Sequence, residues 1–169
     1  MTEDAFISLG SNLAPEWHLP LAVRRVAALG RIVAVSRVYQ NPAVGREAQP
    51  DYLNASVLVR TDVPPLKIRD TLRRIEADLG RVRGPDKFAS RTIDMDLCLY
   101  GRMVMQGELV LPAPEIEQRA YLAVTLAECA PDFVHPITGE RLGVLADRLR
   151  RGATLRVRPD IVLWPEGPD

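Results

Sequence analysis

Two carboxylates, Asp94 and Asp96, stand two residues apart in a segment, residues 91–101, that otherwise has the composition of a β-strand. Side chains alternate between the faces of a strand, so we expect both aspartates on one face, with Cα atoms about 6.5 Å apart. Two negative charges at that distance repel each other unless a cation lies between them. Magnesium is commonly held by one or two carboxylates together with substrate phosphates. With the adjacent Arg91, which suits a phosphate, the pair predicts a magnesium site.

The same pattern has a simpler interpretation, which the local sequence leaves open. An Asp-x-Asp pair in an isolated strand is more often a solvated outer face than a metal site. Arg81, Arg83 and Lys87 precede the pair in a polar loop and fit either phosphate binding or an ordinary solvated surface. No phosphate-binding loop pattern follows Gly10, and neither histidine of the chain has the spacing of a metal ligand.

Apolar periodicity predicts the elements that must position these residues. Strands are expected over 5–9, 32–39, 52–59 and 92–99, where β-branched or alternating apolar residues dominate. Helices are expected over 15–29 and 65–79, each followed by a glycine, and over 114 to about 128. In the strand over 92–99, the predicted core face carries Ile93, Met95, Leu97 and Leu99. The opposite face carries Thr92, Asp94, Asp96 and Cys98.

The order β-α-β-β-α-β is that of a split-βαβ, ferredoxin-like arrangement. We therefore expect an α+β fold, with a ferredoxin-like βαββαβ core, an antiparallel sheet and helices packed on one face. A helix over 142–149 and one more strand within 154–164 would form extra C-terminal elements. The length of 169 residues fits a single domain over 1–169, with a core at about 4–137 and an extension at about 138–169.

Composition argues against several classes of function. Basic and acidic residues number 22 each, so the net charge is zero and no overall field attracts nucleic acid or an anionic membrane. No apolar run approaches the ~20 residues of a membrane span, and the acidic N-terminus lacks the character of a signal peptide. The two cysteines, Cys98 and Cys129, lie in apolar patterns and indicate reduced thiols in a cytoplasmic protein.

Several segments together resemble the 6-hydroxymethyl-7,8-dihydropterin pyrophosphokinase family of folate biosynthesis. The segment RTIDMDL at 91–97 is similar to the family signature around its paired aspartates, and ISLGSNL at 7–13 to its opening strand and turn. QPDYLN at 49–54 resembles the entry to its third strand, RIE and GRVR at 74–76 and 80–83 its helix-to-loop segment, and LAECAP at 126–131 its last helix end. Each motif alone is weak, but their order and spacing over roughly 4–137 are specific.

The resemblance implies a reaction and its partners. The pyrophosphoryl group of ATP would be transferred to 6-hydroxymethyl-7,8-dihydropterin, giving AMP and the pterin diphosphate, with two Mg²⁺ ions as cofactor. Phosphoryl transfer depends mainly on positioning and electrostatics, so the lack of an obvious nucleophilic side chain is expected. We expect a cytoplasmic monomer that binds these two substrates and neither nucleic acid nor membrane.

The resemblance also implies roles for individual residues. The metal ligands would be Asp94 and Asp96, and the catalytic group would consist of Arg81, Arg91, Asp94 and Asp96. The pterin would contact Asn41, Pro42, Val44, Tyr52, Asn54, Phe88 and Tyr121. ATP would contact Arg73, Glu76, Arg83, Lys87, Arg91, Leu97 and Arg119. Phe88 and Tyr121 would stack on the flat pterin ring, and the amide of Asn54 would offer both a donor and an acceptor.

The chain departs from the family pattern mainly on the nucleotide side. Ala113 stands where the family commonly has His, Arg73 where it has Gln, and Asn41 where it more often has Thr. A second function therefore stays open: a pterin-binding paralogue with lost or altered nucleotide use. An RNA-binding ferredoxin-like domain fits less well, because the sheet face carries paired aspartates rather than stacked aromatics and lysines. We expect the loops at 41–50 and 81–90 to close over the substrates.

Overall fold

The computed structural model describes residues 1–42, 49–86 and 89–164. Its strands are β1 (Glu3–Ser11), β2 (Arg31–Val35), β3 (Tyr39–Asn41), β4 (Tyr52–Thr61), β5 (Asp94–Tyr100) and β6 (Arg156–Val157). Its α-helices are α1 (Pro15–Val26), α2 (Pro65–Asp78), α3 (Ala120–Cys129) and α4 (Leu142–Arg150). Short 3₁₀ turns extend α1 over Ala27–Leu29 and precede α3 over Pro114–Glu117. No helix among the described residues is long and apolar enough to cross a membrane.

All six strands form one antiparallel sheet, in the order β5-β1-β4-β3-β6, with β2 also paired to β4. The α+β class, the antiparallel sheet and the extra C-terminal elements are therefore confirmed. The two long strands β1 and β4 pair over nine residues each and form the centre. They carry the residues that form the floor of the site described below.

Helices cover both faces of this sheet, so the prediction that they pack on one face is wrong. Along β1, Ile7 and Leu9 pack in the cluster that includes α1 and α2, whereas Phe6 packs in the cluster that includes α3 and α4. Leu58 of β4 joins the second cluster. Apolar side chains on both faces of the central strands need two covering layers, and a strand buried on both sides lacks the clean alternation of a one-sided sheet.

The predicted strand over 32–39 is two strands, β2 and β3, separated at residues 36–38. The interruption has a local cause in Ser36. Its N–H donates to the carbonyl of Ser56 at 2.9 Å, and its hydroxyl Oγ accepts the N–H of Ser56 at 2.8 Å. A side-chain oxygen thus replaces a main-chain carbonyl in the ladder, which ends β2 and lets β3 begin in a new register.

The predicted helix over 114–128 is also interrupted. A 3₁₀ turn ends at Glu117, and Arg119 adopts an extended conformation, with φ −112° and ψ 113°, before α3 begins at Ala120. After this break, α3 packs on the face of the sheet that carries Phe6 and Leu58. The strand expected within 154–164 is reduced to the two residues of β6, after which Leu163 and Trp164 pack on the first core cluster.

Candidate active site

Three neighbouring strands make the floor of the candidate site. In one row across the sheet, Gly10 of β1 pairs with Asn54 of β4 on one side and with Asp94 of β5 on the other. In the next row, Ser8 of β1 pairs with Asp96. Directly paired residues share a face, so the two carboxylates adjoin a glycine and a small polar residue rather than bulky side chains. This leaves open space above them.

A β-bulge in β5 changes the face on which its last residues lie. Ile7 of β1 pairs with Leu97, but the preceding Phe6 pairs with Leu99, which leaves Cys98 as the extra residue. Leu99 therefore packs with Phe6 in the second cluster, while Leu97 belongs to the first. The prediction that Leu99 shares the face of Leu97 is wrong, because strict alternation does not allow for an inserted residue.

A cavity of about 570 Å³ opens over this floor and under the first turns of α3. Its lining includes both aspartates and, from other parts of the chain, Asn41, Tyr52, Asn54, Arg119 and Tyr121. Burial raises the pKa of Tyr121 and of Tyr52, so both rings stay neutral and apolar in character. The fold thus gathers amide and aromatic groups that are far apart in sequence.

A second cavity, of about 360 Å³, adjoins the first. Arg91, Asp94, Asp96 and Leu97 line both cavities. The remainder of the second lining is strongly basic and includes Arg69, Arg73, Arg81 and Arg83. The two aspartates therefore stand at the boundary between an amide and aromatic cavity and a cationic one.

Asp94 is already engaged by two arginines. Its Oδ1 lies 3.0 Å from Nη1 of Arg81, and its Oδ2 lies 2.9 Å from Nη1 of Arg91. Charge-assisted contacts of this length hold both guanidinium groups at the edge of the cleft. Asp94 thus provides negative charge in the cleft and also orients two of the predicted catalytic cations.

Asp96 has a different environment. Its carboxylate is exposed to the cleft and makes no hydrogen bond or ion pair with the described residues. Desolvation in the cleft, the charge of Asp94 and the charge of Glu76 raise the pKa of Asp96 to about 7. Desolvation is the largest of these causes, and the neighbouring carboxylates add to it. The charge of Arg81 opposes the rise only in part. A carboxylate with acidic neighbours and no ion pair among the described residues favours a bound cation.

Glu76 lies beneath the arginines rather than in the cleft. It is only 2% exposed, forms ion pairs with Arg81 and Arg83, and accepts the N–H of Met95 at 3.0 Å. The distance from its Oε1 to Nη2 of Arg83 is 2.8 Å. Glu76 lines neither cavity, and a 2% exposed carboxylate offers little surface for the predicted contact with ATP, which stays a prediction. Its structural effect is to orient two arginines and the start of β5.

The donors in the cleft fit a hard divalent cation. Asp94 and Asp96 offer carboxylate oxygens, and the raised pKa of Asp96 reflects charge that a cation would neutralise. Among the described residues no group of three or more His, Cys, Asp or Glu side chains could hold a metal ion by itself. Such a site suits a cation that takes its other ligands from water and substrate phosphates.

On the amide side of the cleft, two asparagines form a pair. Nδ2 of Asn54 donates a hydrogen bond to Oδ1 of Asn41, which orients the Asn54 amide. The oxygen of that amide lies over Gly10, where an added Cβ would be 2.9 Å away. Gly10 has no positive φ, so its backbone conformation does not require a glycine. It leaves room for the amide of Asn54.

Four predicted contacts, Pro42, Val44, Lys87 and Phe88, are not placed in either cavity by the described residues. Pro42 is exposed and is not among the described residues that line either cavity. Val44, Lys87 and Phe88 lie outside the described residues.

Asn12 supports the site from outside the two cavities, a role that the sequence alone did not reveal. It is 2% exposed, and its Oδ1 accepts the N–H of Arg91 at 2.7 Å. Its Nδ2, which has two protons, lies 3.2–3.4 Å from oxygen acceptors of Gln49, Pro50 and Ser90. It therefore joins the end of β1 to the segments before β4 and β5. The available signal was a polar side chain directly after an apolar strand, which more often marks a turn.

Comparisons with known proteins agree with the geometry. The family model of 7,8-dihydro-6-hydroxymethylpterin-pyrophosphokinase (HPPK) matches residues 6–131. Two curated relatives share one name, 2-amino-4-hydroxy-6-hydroxymethyldihydropteridine pyrophosphokinase. The one from Haemophilus influenzae is 39% identical over 136 residues, which cover 78% of this chain and 84% of the relative. The one from Synechocystis sp. is 35% identical over 163 residues, which cover 94% of this chain and 83% of the relative.

Solved structures show the same fold. The crystal structure of a Plasmodium falciparum HPPK-DHPS triple mutant with SDX-DHP has a TM-score of 0.70 at 14% sequence identity. The match covers 88% of this chain but only 44% of that one, so the chain spans less than half of the Plasmodium protein. The wild-type Plasmodium protein with pterin and p-hydroxybenzoate gives a TM-score of 0.68. At this identity the likeness concerns the fold alone.

Proposed function

The chain belongs to the 7,8-dihydro-6-hydroxymethylpterin-pyrophosphokinase family, and we propose that its paired aspartates and surrounding arginines carry out the family's reaction in this cleft. The chain transfers the pyrophosphoryl group of ATP to 6-hydroxymethyl-7,8-dihydropterin in folate biosynthesis. The products are AMP and the pterin diphosphate.

One observation carries the assignment of roles: Asp94 and Asp96 stand where two cavities of opposite character meet. The cationic cavity suits a triphosphate, because guanidinium groups bind phosphate oxygens through paired N–H donors. The amide and aromatic cavity suits a flat heterocycle with several donors and acceptors. Placing the two substrates in these cavities brings the acceptor hydroxyl and the phosphates together at the aspartates.

We assign the cofactor as two Mg²⁺ ions, with Asp94 and Asp96 as the protein ligands. Asp94 and Asp96 would hold the ions, which would supply positive charge against the negative charge that develops on the phosphates during transfer. The raised pKa of Asp96 and its lack of a cationic partner among the described residues support this assignment. Arg81 and Arg91, held at the cleft by Asp94, would bind the transferred phosphoryl groups.

The substrate contacts follow the two cavities. We assign the pterin to Asn41, Tyr52, Asn54 and Tyr121, which line the first cavity, and on resemblance alone to Pro42, Val44 and Phe88. We assign the nucleotide to Arg73, Arg83 and Leu97 of the second cavity, to Arg119 of the first, and on resemblance to Lys87. Glu76 has a supporting role behind Arg81 and Arg83.

We propose that the enzyme works as a monomer in the cytoplasm. One chain supplies residues to both cavities, which supports a monomer. Both cysteines are free thiols, which fits a reducing compartment.

The test is AMP formation from ATP and 6-hydroxymethyl-7,8-dihydropterin, with and without Mg²⁺. Asp96→Asn removes the charge but not the shape of one proposed ligand, and we expect kcat to fall by about 100-fold or more. Asp147→Asn, an exposed residue of α4, is the matched control and should leave kcat unchanged.

Two results would contradict the proposal. Wild-type protein that binds the pterin calorimetrically but forms no AMP would indicate the pterin-binding paralogue. An Asp96→Asn variant with wild-type Mg²⁺ dependence would contradict the metal assignment.

A further inference from the structure

Two buried hydroxyl groups, of Ser56 and Thr125, form a hydrogen-bonded link between the sheet below the cleft and the helix α3 above it. Ser56 of β4 is fully buried, and its Oγ lies 2.7 Å from Oγ1 of Thr125 on α3. Oγ1 of Thr125 lies 2.9 Å from the main-chain carbonyl of Tyr121 and 3.1 Å from that of Leu122. Thr125 has one hydroxyl proton, which it shares between these two carbonyls, so Ser56 is the donor in the contact between the two hydroxyls.

Each end of this hydroxyl link is close in sequence to a proposed pterin contact. Ser56 is two residues from Asn54 on the same face of β4, and Tyr121 is in the first turn of α3. Thr125 is 1% exposed and contributes to the inner lining of the first cavity. The hydroxyls therefore link the strand that carries one pterin contact to the helical turn that carries another.

The strand end of the link is fixed by its main chain. Both the N–H and the carbonyl of Ser56 are bonded to Ser36, at 2.8 and 2.9 Å. Around the hydroxyls, α3 packs on the sheet through apolar side chains, including Leu122, Leu126 and Phe6. Apolar contacts allow a helix to slide, whereas hydrogen bonds require particular distances and angles. Near its C-terminal end α3 is also held by Glu128, which bonds Arg37 and Tyr39, and by Cys129, whose Sγ lies 3.4 Å from the carbonyl of Ser56. The Ser56–Thr125 contact is the directional contact that lies closer to Tyr121 along the helix.

We propose that Thr125 is a positioning residue, which sets the height of Tyr121 above the sheet and so the width of the slot for the pterin ring. The inference rests on the proposed function, since it takes Tyr121 as a pterin contact. Thr125 acts through Tyr121 and has no part in phosphate binding. Its loss should therefore change pterin binding and leave ATP binding and the transfer step nearly intact.

Thr125→Val tests this, because valine keeps the shape of threonine and removes the hydroxyl. We expect the KM for the pterin to rise about three- to tenfold, the size of one weakened aromatic contact. The KM for ATP and the kcat should stay within about twofold of wild type. Thr125→Ser keeps the hydroxyl and should restore most of the pterin affinity.

A second buried threonine provides the matched control. Thr61, 2% exposed at the far end of β4, donates to the carbonyl of Leu29 at 2.6 Å and accepts the N–H of Val63 at 3.0 Å. Thr61→Val removes a comparable buried hydroxyl outside the site. We expect it to lower the urea midpoint of unfolding but not to raise the KM for the pterin.

The outcomes separate this inference from the proposed function. If wild-type protein is active and Thr125→Val leaves the pterin KM unchanged, or raises it no more than Thr61→Val does, the inference is wrong. If Thr125→Val does not fold, Ser56→Ala keeps the helix contacts of Thr125 and removes the link to the sheet. It should then raise the pterin KM, and an unchanged value overturns the inference. Wild-type protein that forms no AMP contradicts the proposed function and the inference with it.

Discussion

Gly10 and Asn54 are direct partners across β1 and β4, and a Cβ built on Gly10 would lie 2.9 Å from Oδ1 of Asn54. That distance is shorter than a van der Waals contact, so any side chain at this position must displace the amide. The same glycine pairs on its other side with Asp94. The open centre of the cleft therefore depends on position 10 being a glycine, which has no side chain.

Gly10→Ala should raise the KM for the pterin at least tenfold, because the displaced Asn54 amide can no longer meet the ring in its bound position. Steady-state kinetics with varied pterin measures the effect. Gly152→Ala is the control: nothing lies within 4 Å of its added Cβ, and activity should not change. Equal pterin KM values for wild type and Gly10→Ala would contradict this account.

Glu76→Gln should weaken both the fold and the site. It leaves the buried Arg81 with Asp94 as its remaining acidic partner, and we expect a loss of roughly 3 kcal/mol in the free energy of unfolding, as for a broken buried ion pair. Urea unfolding measures it. Asp78→Asn breaks the half-exposed pair with Arg25 and should cost less than about 1 kcal/mol. Similar losses for the two variants would argue against a structural role for Glu76.

Arg73 and Arg74 form a matched pair of neighbours. Both are exposed on α2, but only Arg73 is among the described residues that line the cationic cavity. Arg73→Ala should raise the KM for ATP about three- to tenfold, with a smaller effect at high salt, because a partly exposed charge is screened. Arg74→Ala should leave that KM unchanged. If both variants behave alike, the nucleotide does not occupy this cavity.

His135 should make stability depend on pH. It is 2% exposed, its Nδ1 accepts the N–H groups of Ile137 and Thr138, and its Nε2 has no partner among the described residues. Burial lowers the pKa of His135, against the opposing charges of Glu117 and Glu140. The unfolded chain then binds the proton more readily than the folded one.

The free energy of unfolding should therefore fall as the pH drops below about 6.5, the ordinary pKa of histidine, and this loss should be absent above it. Urea unfolding at pH 5.5 and 8 measures the difference. His135→Asn should reduce it, whereas His18→Gln, which removes a half-buried ring, controls for loss of a histidine as such. An undiminished difference in His135→Asn would assign the pH dependence to other groups.

Apolar residues that recur every two or every 3.6 positions correctly predicted most of the strands and helices. The strands that became β1, β4 and β5, and the helices α1, α2 and α4, agree with apolar periodicity and glycine or proline boundaries. The wrong predictions arose where a side chain or an inserted residue overrides periodicity: Ser36 ends β2, Arg119 interrupts a helix, and Cys98 adds a bulge. None of these residue types predicts such an effect without its partner in space.

The sequence by itself determined the pair Asp94 and Asp96, because two residues along a strand is a local distance that needs no knowledge of the fold. It likewise indicated, through resemblance, which residues would surround the pair. Only the tertiary structure decided that Glu76 lies behind the arginines, that Gly10 clears space for Asn54, and that hydroxyls connect α3 to β4. Those contacts join residues distant along the chain, and they depend on strand register and helix placement, which local patterns do not encode.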